Sequence, residues 1–188
     1  MQGQIQHRHD SPAPRYTSYP TAPHFTPDVG AKRYGAWLEA LDPAEPLSLY
    51  FHIPFCDSLC WFCGCNTTVV RRYAPVARYV QKLMREIELV AGHLAGRRRV
   101  SHIHFGGGSP SLVAPEDWHC LFDRIHGFFD LAENAEIAVE IDPRDLADEN
   151  IAALAEVGIN RVSFGVQDFD PEVQQAINRI QPFDMTRE

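Results

Sequence analysis

Apolar and polar residues alternate over several short stretches of this chain, and between those stretches apolar residues recur at spacings of three and four. Alternation marks half-buried strands, and the longer spacing marks helices with one apolar face. Strands are predicted over 47–53, 100–105, 137–141 and 161–166. A short amphipathic helix over 28–41 carries Tyr34, Trp37, Leu38 and Leu41 on one face, and Asp42-Pro43 ends it. The helix predicted over 75–95 has Val76, Tyr79, Val80, Leu83, Ile87, Val90 and Leu94 as its stripe. Pro75 suits its first turn and Gly96 its end. Another, over 115–129, presents Trp118, Leu121, Phe122, Ile125 and Phe129. Residues 148–157 form a helix that stops at Gly158. Asp170-Pro171 opens a last one, with Asp as N-cap and Pro in the first turn.

Strand followed by helix, repeated along the chain, implies parallel strands joined by right-handed crossovers. One strand face carries Leu47, Leu49, Phe51 and Ile53, then Ile103 and Phe105, then Ile137, Val139 and Ile141, then Val162, Phe164 and Val166. That face is expected to pack on the helices. The opposite face carries Tyr50, His52, His102, His104, Gly106, Glu140, Asp142, Arg161, Ser163, Gly165 and Gln167. A parallel strand buried on both sides is normally apolar throughout. A polar second face therefore predicts a curved sheet, an α/β partial barrel whose inner wall is a reaction chamber. Chemistry in such folds gathers at the C-terminal strand ends.

A length of 188 residues suits one domain or part of a larger one. With 45% hydrophobic and 22% charged residues the composition is that of a globular protein. There is no apolar run of about 18 residues, so no membrane span is expected. Residues 1–14 are polar and lack the apolar core of a signal peptide. The expected location is a reducing cytoplasm, where clustered thiols favour metal binding or catalysis over disulfides. A net charge of −8 argues against general nucleic-acid binding. Arg71-Arg72 and Arg97-Arg98-Arg99 are expected as solvated helix flanks, although local arginines can also meet an anionic substrate. Residues 1–27, rich in Pro, His and Thr, suggest an extended arm.

Chemistry concentrates after the first strand. Cys56, Cys60 and Cys63 have C-x3-C-x2-C spacing, with Cys65 close by. Three thiolates can hold three irons of a cubane cluster and leave one iron open to a small molecule. Zinc with Cys65 or His52 as fourth ligand is an alternative. Against it, Cys63 and Cys65 are awkwardly close for sharing one ion, and no second CxxC pair exists. Gly106-Gly107-Gly108-Ser109-Pro110 follows the second strand. Ser111 and Pro110 break the dinucleotide pattern, leaving a tight turn or a close approach to a cofactor. Glu140 and Asp142 face the chamber, and buried carboxylates need partners. Arg161 on the neighbouring strand is one candidate, and an ammonium or ribose hydroxyl is the other. His52 and His104 also point inward, whereas Cys120 lies off its helix's stripe and receives no role.

Cys56-x3-Cys60-x2-Cys63, with Phe62 before the third cysteine, resembles the radical S-adenosylmethionine signature. Longer stretches narrow the likeness: 14–21 (PRYTSYPT), 50–56 (YFHIPFC), 63–66 (CGCN), 106–110, 140–143 and 176–182 (AINRIQP). Together they resemble the oxygen-independent coproporphyrinogen III oxidase family over nearly the whole chain.

The resemblance implies a radical-SAM (TIM-like) (β/α)6 barrel of which about four units are present, spanning 47–188, after an N-terminal arm and short helix over 1–46. It implies decarboxylation of two propionates of coproporphyrinogen III to vinyl groups, giving protoporphyrinogen IX in haem biosynthesis. A [4Fe–4S] cluster on Cys56, Cys60 and Cys63 reduces S-adenosylmethionine to methionine and a 5′-deoxyadenosyl radical. Two S-adenosylmethionine molecules are implied. Tyr50, Gly107 and Glu140 match contacts to the first; Phe62, Gly108, Ser109, Gln167 and Arg179 match contacts to the second. Ser109 stands where the family usually has Thr and keeps the hydroxyl. The resemblance also implies an electron donor such as flavodoxin or ferredoxin and a monomer at full length. The family continues beyond the fourth helix, where this sequence stops. The expectation is a fragment or truncated product with an unpaired strand edge, poorly stable and inactive alone. A haem chaperone of the same superfamily is the alternative, but it normally lacks the 63–66 and 14–20 stretches. A zinc-bound structural module is a third reading.

Overall fold

The computed structural model describes residues 21–187. Most of the arm expected over 1–27, including most of the 14–21 stretch, lies outside the described residues. The chain divides into two compact units, one ending at Gly35 and one beginning at Ala36. In the first, a 3-10 turn at Ala22–His24 precedes helix α1, Ala31–Glu39, which runs on into the second. The helix begins later than the expected residue 28, where the Asp28 carboxylate instead accepts a hydrogen bond from Thr26 Oγ1 at 2.9 Å.

The second unit is built on a parallel sheet in the order β1 (Leu47–Ile53), β4 (Arg98–Gly107), β5 (Phe129–Ile141) and β6 (Arg161–Phe164). Three amphipathic helices alternate with these strands: α2 (Ala74–Gly92), α3 (Pro115–Phe128) and α4 (Asp148–Glu156). Their stripes are buried, including Val76, Val80, Leu83 and Ile87 on α2 and Trp118, Leu121, Phe122 and Ile125 on α3. The expected apolar strand face meets them through Phe51, Ile53, Ile103, Phe105, Ile137, Val139 and Ile141. Phe105 anchors this core, stacked on Phe51 and edge-on to Trp118, each at a centroid distance of 4.9 Å. Burying rings of this size contributes about 1.5–3 kcal/mol each.

Several expectations need correction. β5 begins at Phe129 rather than 137. Phe129, Asp130 and Leu131 pair with Arg98, Arg99 and Val100, and the ladder then resumes with Glu136 opposite His102. The extra residues 132–135 form a bulge whose polar Glu133 and Asn134 hide the strand from periodicity. Arg98 is buried at 2% exposure, not a solvated flank, and donates to the carbonyls of Asp42 and Glu45. On β6 the expected packing face is uncovered: Val162 is 43% and Phe164 53% exposed, and Val166 beyond it is 36% exposed. No described helix packs over that face. The last expected helix is short, α5 (Pro171–Ala176), with Asp170 capping Glu172 N at 2.8 Å as anticipated. It is followed by an unexpected α6 (Phe183–Arg187).

Candidate cluster and cofactor site

A two-stranded parallel pair, β2 (Phe55–Cys56) and β3 (Thr68–Val69), holds the base of the cysteine loop. Such short strands carry no readable alternation, which is why sequence periodicity misses them. The loop is fastened at further points. Trp61 N donates to Ile177 O at 3.0 Å and Asn178 Nδ2 to Leu59 O at 2.7 Å. The 176–182 stretch therefore braces the cysteine loop, with Asn178 in the left-handed region at φ 55°. His52 Nε2 lies 2.8 Å from Asn66 O, and Tyr79 OH donates to His52 O at 2.6 Å.

The glycine run lies beside this loop, and two of its members have demonstrable reasons to be glycine. Gly107 has φ +115°, and a Cβ there would stand 2.5 Å from the His52 ring. A Cβ on Gly108 would stand 2.4 Å from Phe55 O and 2.7 Å from Thr67 Oγ1. Close approach is thus required, and the approaching partner is the protein itself: the His52 ring of β1 at Gly107, and the base of the cysteine loop at Gly108.

Cys56, Cys60 and Cys63 are free thiols lining one cavity of about 320 Å³. Phe62, Gly107, Gly108, Glu140, Gln167 and Arg179 line it too. Tyr50 and Ser109 are not among its lining residues. Tyr50 is 59% exposed, its ring stacked on His104 at 5.8 Å and its hydroxyl 3.1 Å from His52 Nδ1. Ser109 is buried, with its hydroxyl 2.9 Å from that of Ser111.

Each of the three sulfurs has a donor close by. Thr67 Oγ1 is 3.2 Å from Cys56, Cys65 N is 3.4 Å from Cys63, and Arg144 Nη2 and Arg179 Nη1 are 3.4 and 3.5 Å from Cys60. This surrounding suits thiolates. In the free thiol state, burial raises the Cys56 pKa, with Cys63 and Cys60 adding to the effect against the Thr67 hydrogen bond. Cys65 is pushed up to about 11 by partial desolvation and by Cys63. Among the described residues no three His, Cys, Asp or Glu side chains gather closely enough to hold one metal ion, as a zinc site requires. A cubane needs only one thiolate at each of three corners.

The carboxylates divide their duties. Glu140 accepts from Gly107 N at 3.2 Å and lies 3.1 Å from His104 Nε2, with its carboxylate on the cavity wall. Asp142 is committed to the protein, ion-paired with Arg144 at 2.6 Å and Arg179 at 2.7 Å. Burial pushes its pKa up, but hydrogen bonds and charge from Arg144, with charge from Arg179, bring it below the ordinary value. Arg161, the partner considered from sequence, pairs with Glu136 at 2.9 Å. Sequence reasoning missed Arg144 altogether. Its signal was the Asp-Pro-Arg turn directly after a strand, at a 3-10 helix spanning Pro143–Asp145.

The radical SAM superfamily model matches residues 50–188. The chain belongs to the radical SAM superfamily. Among curated relatives, it is 51% identical over 173 residues to an oxygen-independent coproporphyrinogen III oxidase of Bradyrhizobium diazoefficiens, covering 92% of this chain and 38% of that protein. It is 41% identical over 183 residues to the enzyme of that name from Pseudomonas aeruginosa, covering 96% and 40%. The solved coproporphyrinogen III oxidase from Escherichia coli, a radical SAM enzyme, superposes with a TM-score of 0.84 at 39% identity. That match covers 99% of this chain and 41% of the solved one. The chain thus spans about two fifths of the length of the relatives it matches. Membership of this superfamily fits the observed parallel sheet and the placement of the cysteines beyond its first strand.

Proposed function

We propose that this chain carries the cluster-binding part of an oxygen-independent coproporphyrinogen III oxidase, an oxidoreductase of haem and porphyrin biosynthesis. The observation that carries the reading is the joint lining of one cavity by Cys56, Cys60, Cys63, the glycine run and Glu140. A [4Fe–4S] cluster held by the three thiolates would supply the electron that cleaves S-adenosylmethionine to methionine and a 5′-deoxyadenosyl radical. Gly107 and Glu140 are suited to the first S-adenosylmethionine, since the Glu140 carboxylate can accept from an ammonium or a ribose hydroxyl. Phe62, Gly108, Gln167 and Arg179 are suited to the second. Arg179 has most of its donors engaged by Gln181, Asp142, Cys60 and Gly165, which fixes its guanidinium plane at the cavity wall. The roles of Tyr50 and Ser109 rest on motif likeness. The substrate is coproporphyrinogen III, the electron donor a flavodoxin or ferredoxin, the place the cytoplasm, and the full-length protein a monomer. No helix among the described residues is long and apolar enough to cross a membrane.

The test replaces the matching segment of the Escherichia coli oxidase with this chain and follows coproporphyrinogen III anaerobically with S-adenosylmethionine and a reductant. Protoporphyrinogen formation, abolished by Cys60→Ala, is expected. Stoichiometric haem binding without any decarboxylation would favour the chaperone reading instead.

A further inference from the structure

The three cluster thiols do not share one electrostatic environment. The hydrogen-bonding partners of Cys56 and Cys63 are neutral, the Thr67 hydroxyl at 3.2 Å and the Cys65 amide at 3.4 Å, and the one charged side chain that bears on Cys56 is the anionic Asp142. Cys60, 8% exposed, has two guanidinium groups, Arg144 Nη2 at 3.4 Å and Arg179 Nη1 at 3.5 Å. Both arginines are bonded to one carboxylate, and Arg179 is held as well by Gln181 and the Gly165 carbonyl. Arg144 grips Asp142 with a fork, Nε to Oδ1 at 2.9 Å and Nη2 to Oδ2 at 2.6 Å, and Arg179 Nη1 donates to Oδ2 at 2.7 Å. The side chains of Asp142, Arg144 and Arg179 are 12%, 14% and 9% exposed, so solvent screens them weakly. Two cations and one anion leave a net positive charge against a single ligand sulfur.

We propose that the Arg144–Asp142–Arg179 triad sets the reduction potential of the cluster through Cys60, with Arg144 as a positioning residue. The proposal rests on the cluster reading above. Reduction adds negative charge to the cluster and its thiolates, and hydrogen bonds and positive charge at a ligand sulfur favour the reduced state. Asp142 moderates that effect while fixing the geometry. Its place immediately after β5 and that of Arg144 in the following turn couple the sheet end to the cysteine loop.

Redox titration of the anaerobically reconstituted protein, with iron and sulfide content measured in parallel, tests this. Arg144→Gln is expected to shift the midpoint potential negative, Asp142→Asn to shift it positive, and Arg144→Lys to fall between Arg144→Gln and the unsubstituted protein. A merely structural role would move the Gln and Asn variants in the same direction or lower cluster content alone, and either result overturns the proposal. If Arg144→Gln does not load, Asp142→Asn and Arg144→Lys decide by the same signs. Loaded variants with unchanged potential refute the triad's role while sparing the cluster reading. An unsubstituted protein that takes up no iron and sulfide refutes both.

Discussion

β1 and β6 are the two outer strands of one sheet, and both are written in sequence as alternating apolar and polar residues. On β1 the alternation ends in burial, with Phe51 at 6% and Ile53 at 0% exposure. On β6 the corresponding Val162 and Phe164 stand at 43% and 53%. Alternation states which residues share a face; it does not state that anything covers the face. The cavity draws on both sides, taking its thiols from the loop after β1 and Ser163, Phe164, Gly165 and Gln167 from β6 and its extension. The chemistry is thus framed by one well-packed flank and one open flank.

The largest expected difference between the flanks is in packing energy. Trp118→Ala should lower unfolding stability by about 3–5 kcal/mol in urea, because its cavity lies in the closed core. Phe164→Ala should change it by no more than about 0.5 kcal/mol. A loss from Phe164→Ala comparable to that from Trp118→Ala would show that the β6 face is covered in solution.

Ion pairs provide a second, smaller contrast. Asp142 has a depressed pKa in the folded state, so its stabilisation is present above its unfolded value of about 4 and lost as pH falls through the folded value. Thermal unfolding between pH 7 and pH 3 should therefore fall more steeply for the native sequence than for Asp142→Asn. Equal slopes would remove Asp142 from the account. The Arg161–Glu136 pair, 61% and 42% exposed, belongs to the open side. Glu136→Gln should cost no more than about 1 kcal/mol, and that difference should shrink in high salt.

Much of this architecture was legible in sequence where local chemistry and periodicity agreed. The α3 stripe from Trp118 to Ile125 and the Asp170 cap are examples. Features set by distant partners were not legible. The β5 bulge depends on Arg98 and Val100 across the ladder, and the burial of Arg98 depends on carbonyls more than fifty residues away in sequence. At the site, the cysteine spacing and Glu140 could be read directly. The glycines could be read only as glycines, since their neighbours Phe55, Thr67 and His52 become apparent in three dimensions. Arg144 left almost no pattern, because its significance lies in meeting Cys60 across 84 residues.

In the proposed function Cys56, Cys60 and Cys63 would hold a cubane cluster with one iron free for S-adenosylmethionine. Electron paramagnetic resonance of the anaerobically reconstituted, reduced protein tests it directly, recorded with and without S-adenosylmethionine. The account predicts a [4Fe–4S]⁺ signal that changes when S-adenosylmethionine is added and is absent in Cys60→Ala. A protein that binds zinc without labile sulfide, or a cluster signal indifferent to S-adenosylmethionine, would contradict it.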